Sequence, residues 1–462
     1  MGRRGALRLP GLTRALRRCR GLGWRAWAVA ALLLALAAPA GAQPRDPEPD
    51  LVVRAFVQPE GERLHVLARV PLAMLQGFGL PVREQGHLDL AAIDEERLDQ
   101  AALAADRELR VVANGVRLAP AGVAHRISRP DEQAFDSMEG ARAHILGPEL
   151  PPSAQVFWNQ GWFDAWLVYP LEGGAGDLAL DVGLDSFGEQ AVVMVTFIPA
   201  EGVARTLAVH GGHGLLALDP DRLATAAAFL RLGAGHMLGG LAHVLLLLGL
   251  ILPLRLRPLA PAIAVTTSLV VAHAAALTMA ASAALPSGDW FAPLIGVLLA
   301  ASVVWVALEN LVAAWLGEDA ILRRRWLIAL AFGLVHGLAM ALALDPQLQF
   351  AGGHPTLALL AFILGIELAL VAALLAALPL LALLLCRPRA RLVAAVMGSA
   401  LLADIGWHRL LLRLDELRFV TWPEPGELWQ LLLLAGLLGG LLSLAWAWPR
   451  WGRRRAGREL PR

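Results

Sequence analysis

Six ionisable side chains and one amide stand in stretches of sequence that are otherwise apolar: His236, His243, His273, Glu309, Asn310, His336 and Glu367. Such groups are costly at membrane depth and are kept where they face a bundle interior or a water-filled path, so each is a candidate for function. Neutral imidazoles suit borderline first-row ions, and carboxylates offset the charge of a dication. One chemistry that follows is passage of a divalent transition metal ion. His236 would receive the ion from outside, His243, His273 and His336 would pass or hold it, and Glu367 and Glu309 would balance its charge. A second is an intramembrane hydrolase in which three histidines hold zinc and Glu309 or Glu367 serves as general base. The sequence lacks the usual pair of zinc histidines one turn apart, which weighs against it. His236 and His243 lie seven residues apart, and on an unbroken helix that spacing puts them on one face about 10 Å apart. That is too far for joint ligation of one ion and suits successive stations on a path. Glycines at Gly233, Gly235, Gly239, Gly240, Gly333 and Gly337 flank the first- and fourth-run histidines and would let helices approach closely.

Outside the apolar stretches the signals are weaker. His210-Gly211-Gly212-His213 could turn two imidazoles toward one metal ion, but with no third ligand nearby it reads first as a solvated glycine turn. His65, His87, His125 and His144 are scattered and carry no assigned role. The aromatic set Phe157, Trp158, Trp162, Phe163, Trp166 and Tyr169 reads as strand residues packing a core, with a ligand face as the alternative.

These residues need elements to hold them. Seven apolar runs, at about 231–253, 262–284, 291–315, 326–344, 356–385, 391–412 and 428–448, are each long enough to span a bilayer. With 57% hydrophobic and 17% charged residues and a mean hydropathy of +0.57, the chain is a membrane protein and not an ordinary soluble or disordered one. A net charge of +1 gives no electrostatic case for nucleic acid. All strong cations are arginine, and they alternate between connections as cytoplasmic retention requires. Arg255 and Arg257 follow the first run, Arg323, Arg324 and Arg325 the third, Arg387, Arg389 and Arg391 the fifth, and Arg450 through Arg462 the last. The connections at Ser287-Gly288-Asp289 and Gln347-Leu348-Gln349 have none, and Arg413 and Arg418 leave the sixth ambiguous. At the other end an arginine-rich start, an apolar stretch from Ala28 to Ala38 and Ala40-Gly41-Ala42 fit a cleaved secretory signal, a retained anchor being the alternative. The expected organisation is therefore a signal peptide over 1–42, an extracytoplasmic β-rich domain over 43–228, seven transmembrane helices over 229–449 and a basic cytoplasmic tail over 450–462. The setting is a bacterial inner membrane, with the first domain periplasmic. Of two cysteines, Cys19 falls in the expected signal and Cys386 ends an apolar run, which excludes an internal disulfide or a thiolate metal cage in the mature chain.

The outer part reads as mostly β, a β-sandwich in its simplest form. Leu178, Leu180, Val182 and Leu184 alternate with polar or small residues, and Ala191 to Ile198 is a β-branched run stopped by Pro199. Asn114-Gly115 signals a tight hairpin, and Asp94 should cap one helix running through Arg107.

The motifs around the intramembrane histidines resemble the HupE/UreJ family of membrane proteins, in particular its branch with a signal peptide and an extracytoplasmic domain. The matching stretches are Gly235-His236-Met237-Leu238-Gly239-Gly240-Leu241-Ala242-His243, Thr267 to His273, Ala307-Leu308-Glu309-Asn310, Phe332-Gly333-Leu334-Val335-His336-Gly337 and Leu364-Gly365-Ile366-Glu367, all within about 229–410. The resemblance implies a nickel permease, with a metalloenzyme maturation system as possible partner. It departs at one place: the family pattern has Asp immediately before the second histidine, where this chain has Ala242. No Walker A loop is visible, so the drive would be membrane potential or protons, and no tightly bound cofactor is expected. A third class of reading is a membrane-anchored assembly protein whose outer domain binds a partner.

Overall fold

The computed structural model describes residues 51–171, 176–183, 191–210, 214–253, 260–282, 286, 288–316, 324–384, 387–422, 429 and 432–444. The expected signal segment, His213, Leu184 and the basic tail lie outside them. The described residues form two compact units. One holds the chain up to Thr225 together with Gln347–Leu357; the other holds Ala226–Pro346 and the chain from Ala358 onward.

The first unit is two sheets sharing one core. Strands β1 (Leu51–Glu60), β2 (Arg63–Pro71), β5 (Gly122–Ser128), β6 (Trp162–Pro170), β8 (Ala191–Phe197) and β9 (Arg205–His210) form a sheet of order β5-β6-β2-β1-β8-β9, in which only the β1–β8 pair is parallel. Strands β3 (Leu109–Ala113), β4 (Val116–Arg117), β7 (Leu178–Val182) and β10 (Leu215–Ala217) form the second, of order β10-β7-β3-β4. Alternation does the rest: Val53, Ala55 and Val57 of β1 meet Val111 and Leu180 between the sheets. Phe56 and Leu67 point the other way, under α2 (Met138–Ile145). α1 (Glu95–Glu108) covers Phe163 and Ala165 beside the small sheet.

Asp94 caps α1 through the Arg97 amide, and Asn114 and Gly115 both take positive φ, at 51° and 78°, as the hairpin between β3 and β4 requires. A single helix was expected among the strands. The second, α2, is only eight residues long, and its signal is the Ser137 cap that accepts the Gly140 amide. The aromatic set divides: Phe163 and Tyr169 are fully buried, whereas Phe157 is exposed.

The second unit is helical: α3 (Arg222–Gly239), α4 (Leu241–Ile251), α5 (Ala260–Ser282), α6 (Phe291–Leu316), α7 (Arg325–Leu344), α8 (Pro355–Leu384), α9 (Pro388–Glu416) and α10 (Leu432–Leu444). The expectation of seven spans needs adjusting. Five helices, α5 to α9, are individually long and apolar enough to cross a membrane, and α3 with α4 makes a sixth if the bent pair is counted as one span. The seventh run contributes α10, short in its described part. α7 is the central helix, with 72% of its apolar window buried, whereas α8 turns Leu360, Leu364, Leu368, Val371 and Leu375 outward as a lipid-facing stripe.

Candidate intramembrane histidine site

The first apolar run is not one helix. α3 ends at Gly239, Gly240 adopts an extended conformation (φ −77°, ψ 90°), and α4 leaves at a bend of 63°. That break overturns the spacing expected of a continuous helix. Instead of lying about two turns apart, the His236 and His243 rings have centroids 5.3 Å apart. Glycine at 240 is a steric requirement: a Cβ there would run into His243 Nδ1 and come within 2.8 Å of the His236 carbonyl oxygen.

His243 also faces His336 of α7, with centroids 5.0 Å apart and rings nearly perpendicular. His336 is wholly buried, and its Nε2 lies 3.0 Å from Ser302 Oγ on α6. Ser302 donates its one proton to the Leu299 carbonyl at 2.7 Å, so its oxygen accepts from His336 Nε2–H. This fixes the tautomer and leaves Nδ1 of His336 with its lone pair free of any protein partner. Sequence reading missed Ser302, because a serine one turn above its carbonyl acceptor is ordinary in a membrane helix.

His273 of α5 and Glu367 of α8 form the second pair, Nδ1 to Oε1 at 3.6 Å. Close helix contacts put them there. Gly333 and Gly337 of α7 lie against Ala272, Ala276 and the His273 backbone, where a Cβ at Gly337 would sit 3.0 Å from the His273 Cα. Gly233 of α3 and Gly365 of α8 lie against the carbonyls of Phe362 and Leu230 respectively, leaving no room for a methyl group on either. His336 adjoins Gly337 in sequence and Glu367 follows Gly365 by two residues. The small residues that let the helices touch thereby set the height of these side chains.

Seven buried atoms in this set have no hydrogen-bond partner: His236 Nε2, both nitrogens of His243, His273 Nδ1, His336 Nδ1 and both oxygens of Glu367. Buried polar atoms are almost always satisfied, and each orphan costs about 1–3 kcal/mol. Such a concentration is the chemistry of a site that receives something polar, and nitrogen and carboxylate donors fit a borderline dication. Among the described residues, however, no three His, Cys, Asp or Glu side chains converge on one point. The donors form adjoining pairs rather than a closed cage.

Glu309 and Asn310 make other contacts. Glu309 accepts Arg324 Nη2 at 2.9 Å and lies 3.9 Å from Arg325, while Asn310 bonds Arg325 and the Gly249 carbonyl. Glu309 is seven residues beyond Ser302, about 10 Å along α6 from the serine that holds His336. Of the outer pair, His210 ends β9 and His213 lies outside the described residues.

The elements and the site define a polytopic membrane protein whose bent helix pair and central helix carry histidines with unpartnered ring nitrogens. Residues 216–410 match the family model described as HupE / UreJ protein. No curated protein matches the chain.

Proposed function

We propose that the helical unit is a permease for a divalent transition-metal ion, nickel or cobalt, moving it inward across a bacterial inner membrane from the side of the β-rich unit. The observation that carries this reading is the run of partnerless nitrogen and carboxylate donors over α3, α4, α5, α7 and α8. A permease must bind well enough to strip water from its ion and weakly enough to release it. Adjoining pairs serve that need better than a tetrahedral cage, because each transfer exchanges one ligand at a time. His236 and His243 form the first station and His243 with His336 the next, at ring separations of 5.3 and 5.0 Å. His273 with Glu367 supplies the charge-balancing step. The ion is cargo, and a metalloenzyme maturation system is the natural consumer on the far side.

The deciding experiment is radioactive nickel uptake into cells expressing the wild type, His243→Ala or empty vector, with membrane expression matched. The expected result is uptake above vector that His243→Ala abolishes. Wild-type uptake no higher than vector, with cobalt equally inert, refutes the permease.

A further inference from the structure

Arg325 opens α7 and is 1% exposed, a guanidinium sealed inside the helical unit. Its surroundings are oxygen atoms from two elements, α4 and α6. Nη1 donates to the carbonyls of Gly249 at 3.0 Å and Leu250 at 3.1 Å, Nη2 donates to Asn310 Oδ1, and Glu309 Oε2 stands 3.9 Å away. Asn310 completes the ring by donating Nδ2 to the Gly249 carbonyl at 2.9 Å. Gly249 and Leu250 belong to the last turn of α4, whose carbonyls have no acceptor role inside the helix and form its negative pole. Gly249 also lets α6 close in, since a Cβ there would stand 3.0 Å from Val306, one turn before Asn310. Two helix-end carbonyls, an amide oxygen and a carboxylate are hard donors of the kind that hold a bare cation where a membrane helix is interrupted.

We propose that Arg325 is the tethered occupant of a cation site at the end of α4. Its guanidinium fills an oxygen-lined position suited to a free monovalent cation, and in doing so anchors the half-helix whose other end presents His243. α4 is only 11 residues, roughly 16 Å long, and is cut from α3 by the break at Gly240. Glu309 and Asn310 thereby act through Arg325 as positioning residues for the histidine pairs. Arg324, bonded to Glu309 at 2.9 Å, balances the other carboxylate oxygen.

The test has two arms. In the first, full-length wild type and Arg325→Ala are purified in detergent, and their thermal unfolding is followed with millimolar methylguanidinium, sodium or N-methylglucamine. The emptied site should lower the midpoint by roughly 5 °C or more. Methylguanidinium or sodium should recover part of that loss, the bulky N-methylglucamine should not, and wild type should respond to none of them. A monodisperse Arg325→Ala protein that no small cation stabilises overturns the proposal. Should Arg325→Ala not fold, Arg325→Lys and Arg325→Gln decide instead: lysine keeps the charge and should be the more stable, and glutamine matching or exceeding it overturns the proposal. The second arm measures nickel uptake by Arg325→Ala with and without methylguanidinium, expecting loss and partial restoration. That arm rests on the permease reading; if wild type moves no nickel, the permease fails while the first arm still decides the cation site.

Discussion

At the scale of single residues, the chemistry of the site depends on which imidazole nitrogens are free. The Ser302 hydroxyl fixes His336 with Nδ1 unprotonated, so Ser302→Ala should strand a buried N–H and release the ring. Apparent nickel affinity should fall roughly tenfold, the range seen when a partner behind a metal ligand is lost. Ser302→Thr should retain most of it, and equal uptake kinetics in all three proteins would separate Ser302 from the mechanism. In the outer unit, His144 follows a different logic. Its Nε2 lies 2.8 Å from Ser128 Oγ, with Asp164 at 3.5 Å and Glu132 at 3.7 Å. Burial, reinforced by Arg126, lowers its pKa below the ordinary 6.5, and the two carboxylates only partly oppose that. His65 is shifted the same way, again mainly by burial. Both histidines are thus favoured neutral in the fold, while the unfolded chain takes up protons near pH 6.5. Their contribution to stability is complete above that pH and declines as pH drops toward the folded values. Thermal unfolding of the intact protein should show an outer-unit transition that weakens as pH falls below about 6.5, and His144→Gln should flatten the decline. An unchanged slope in the variant would assign the acid sensitivity elsewhere.

At the scale of elements, the break between α3 and α4 is the feature on which the site turns. Gly240→Ala should both collide with His243 and favour a continuous helix, since alanine is about 1 kcal/mol better than glycine in a helix interior. Straightened, the segment would return His236 and His243 to a separation of about 10 Å. Uptake should drop to the level of His243→Ala at normal expression, whereas Gly239→Ala, with open space at its Cβ, should be tolerated. Equal activity of both alanine variants would show that the bend is not needed. The break also explains what Ala242 costs. Ala242 and His243 sit in the first turn of α4, whose positive pole has no acidic residue to compensate it. Ala242→Asp should therefore tighten apparent nickel affinity severalfold, and an unchanged KM would detach that position from ion binding. The sequence already displayed every histidine, because an ionisable group in an apolar run is conspicuous. What it concealed was geometry: seven residues from His236 to His243 mean one thing on a straight helix and another across Gly239-Gly240, and two adjacent glycines do not reveal which. Arg325 was hidden for a related reason. In sequence it continues Arg323 and Arg324 and counts toward topology, and only the packing of α4 against α6 turns its guanidinium inward. The strands of the outer unit were legible where alternation was regular, as in β7, or where a β-branched run was stopped by proline, as in β8, but the eight-residue α2 was too short to show a period.

At the scale of the whole molecule, the broken helix raises a question that only chain tracing across the membrane answers: whether α3 and α4 together cross it or turn back. The loop between α7 and α8 supplies the argument. Gln347–Leu357 groups with the β-rich unit, and within it Gln349 Oε1 accepts the Ala208 amide of edge strand β9 at 2.8 Å while its Nε2 donates to the Ala208 carbonyl. The side-chain amide thus pairs with the strand edge as another strand would. A loop bonded to β9 lies on the same side of the bilayer as β9, so the chain between Thr225 and Gln347 crosses an even number of times. With α5, α6 and α7 counted as three crossings by their length and apolarity, the expected fourth is the bent pair. Impermeant thiol labelling of intact cells tests this directly. A cysteine at Val203, in the exposed loop before β9, and one at Gly353, exposed in the α7–α8 loop, should both react from outside. Labelling at Val203 with protection at Gly353 would mean that α3 and α4 turn back without crossing. A re-entrant pair could still bring His236 to His243, but it would open both to the same side, and the sequence of stations from His236 to Glu367 would no longer run through the membrane.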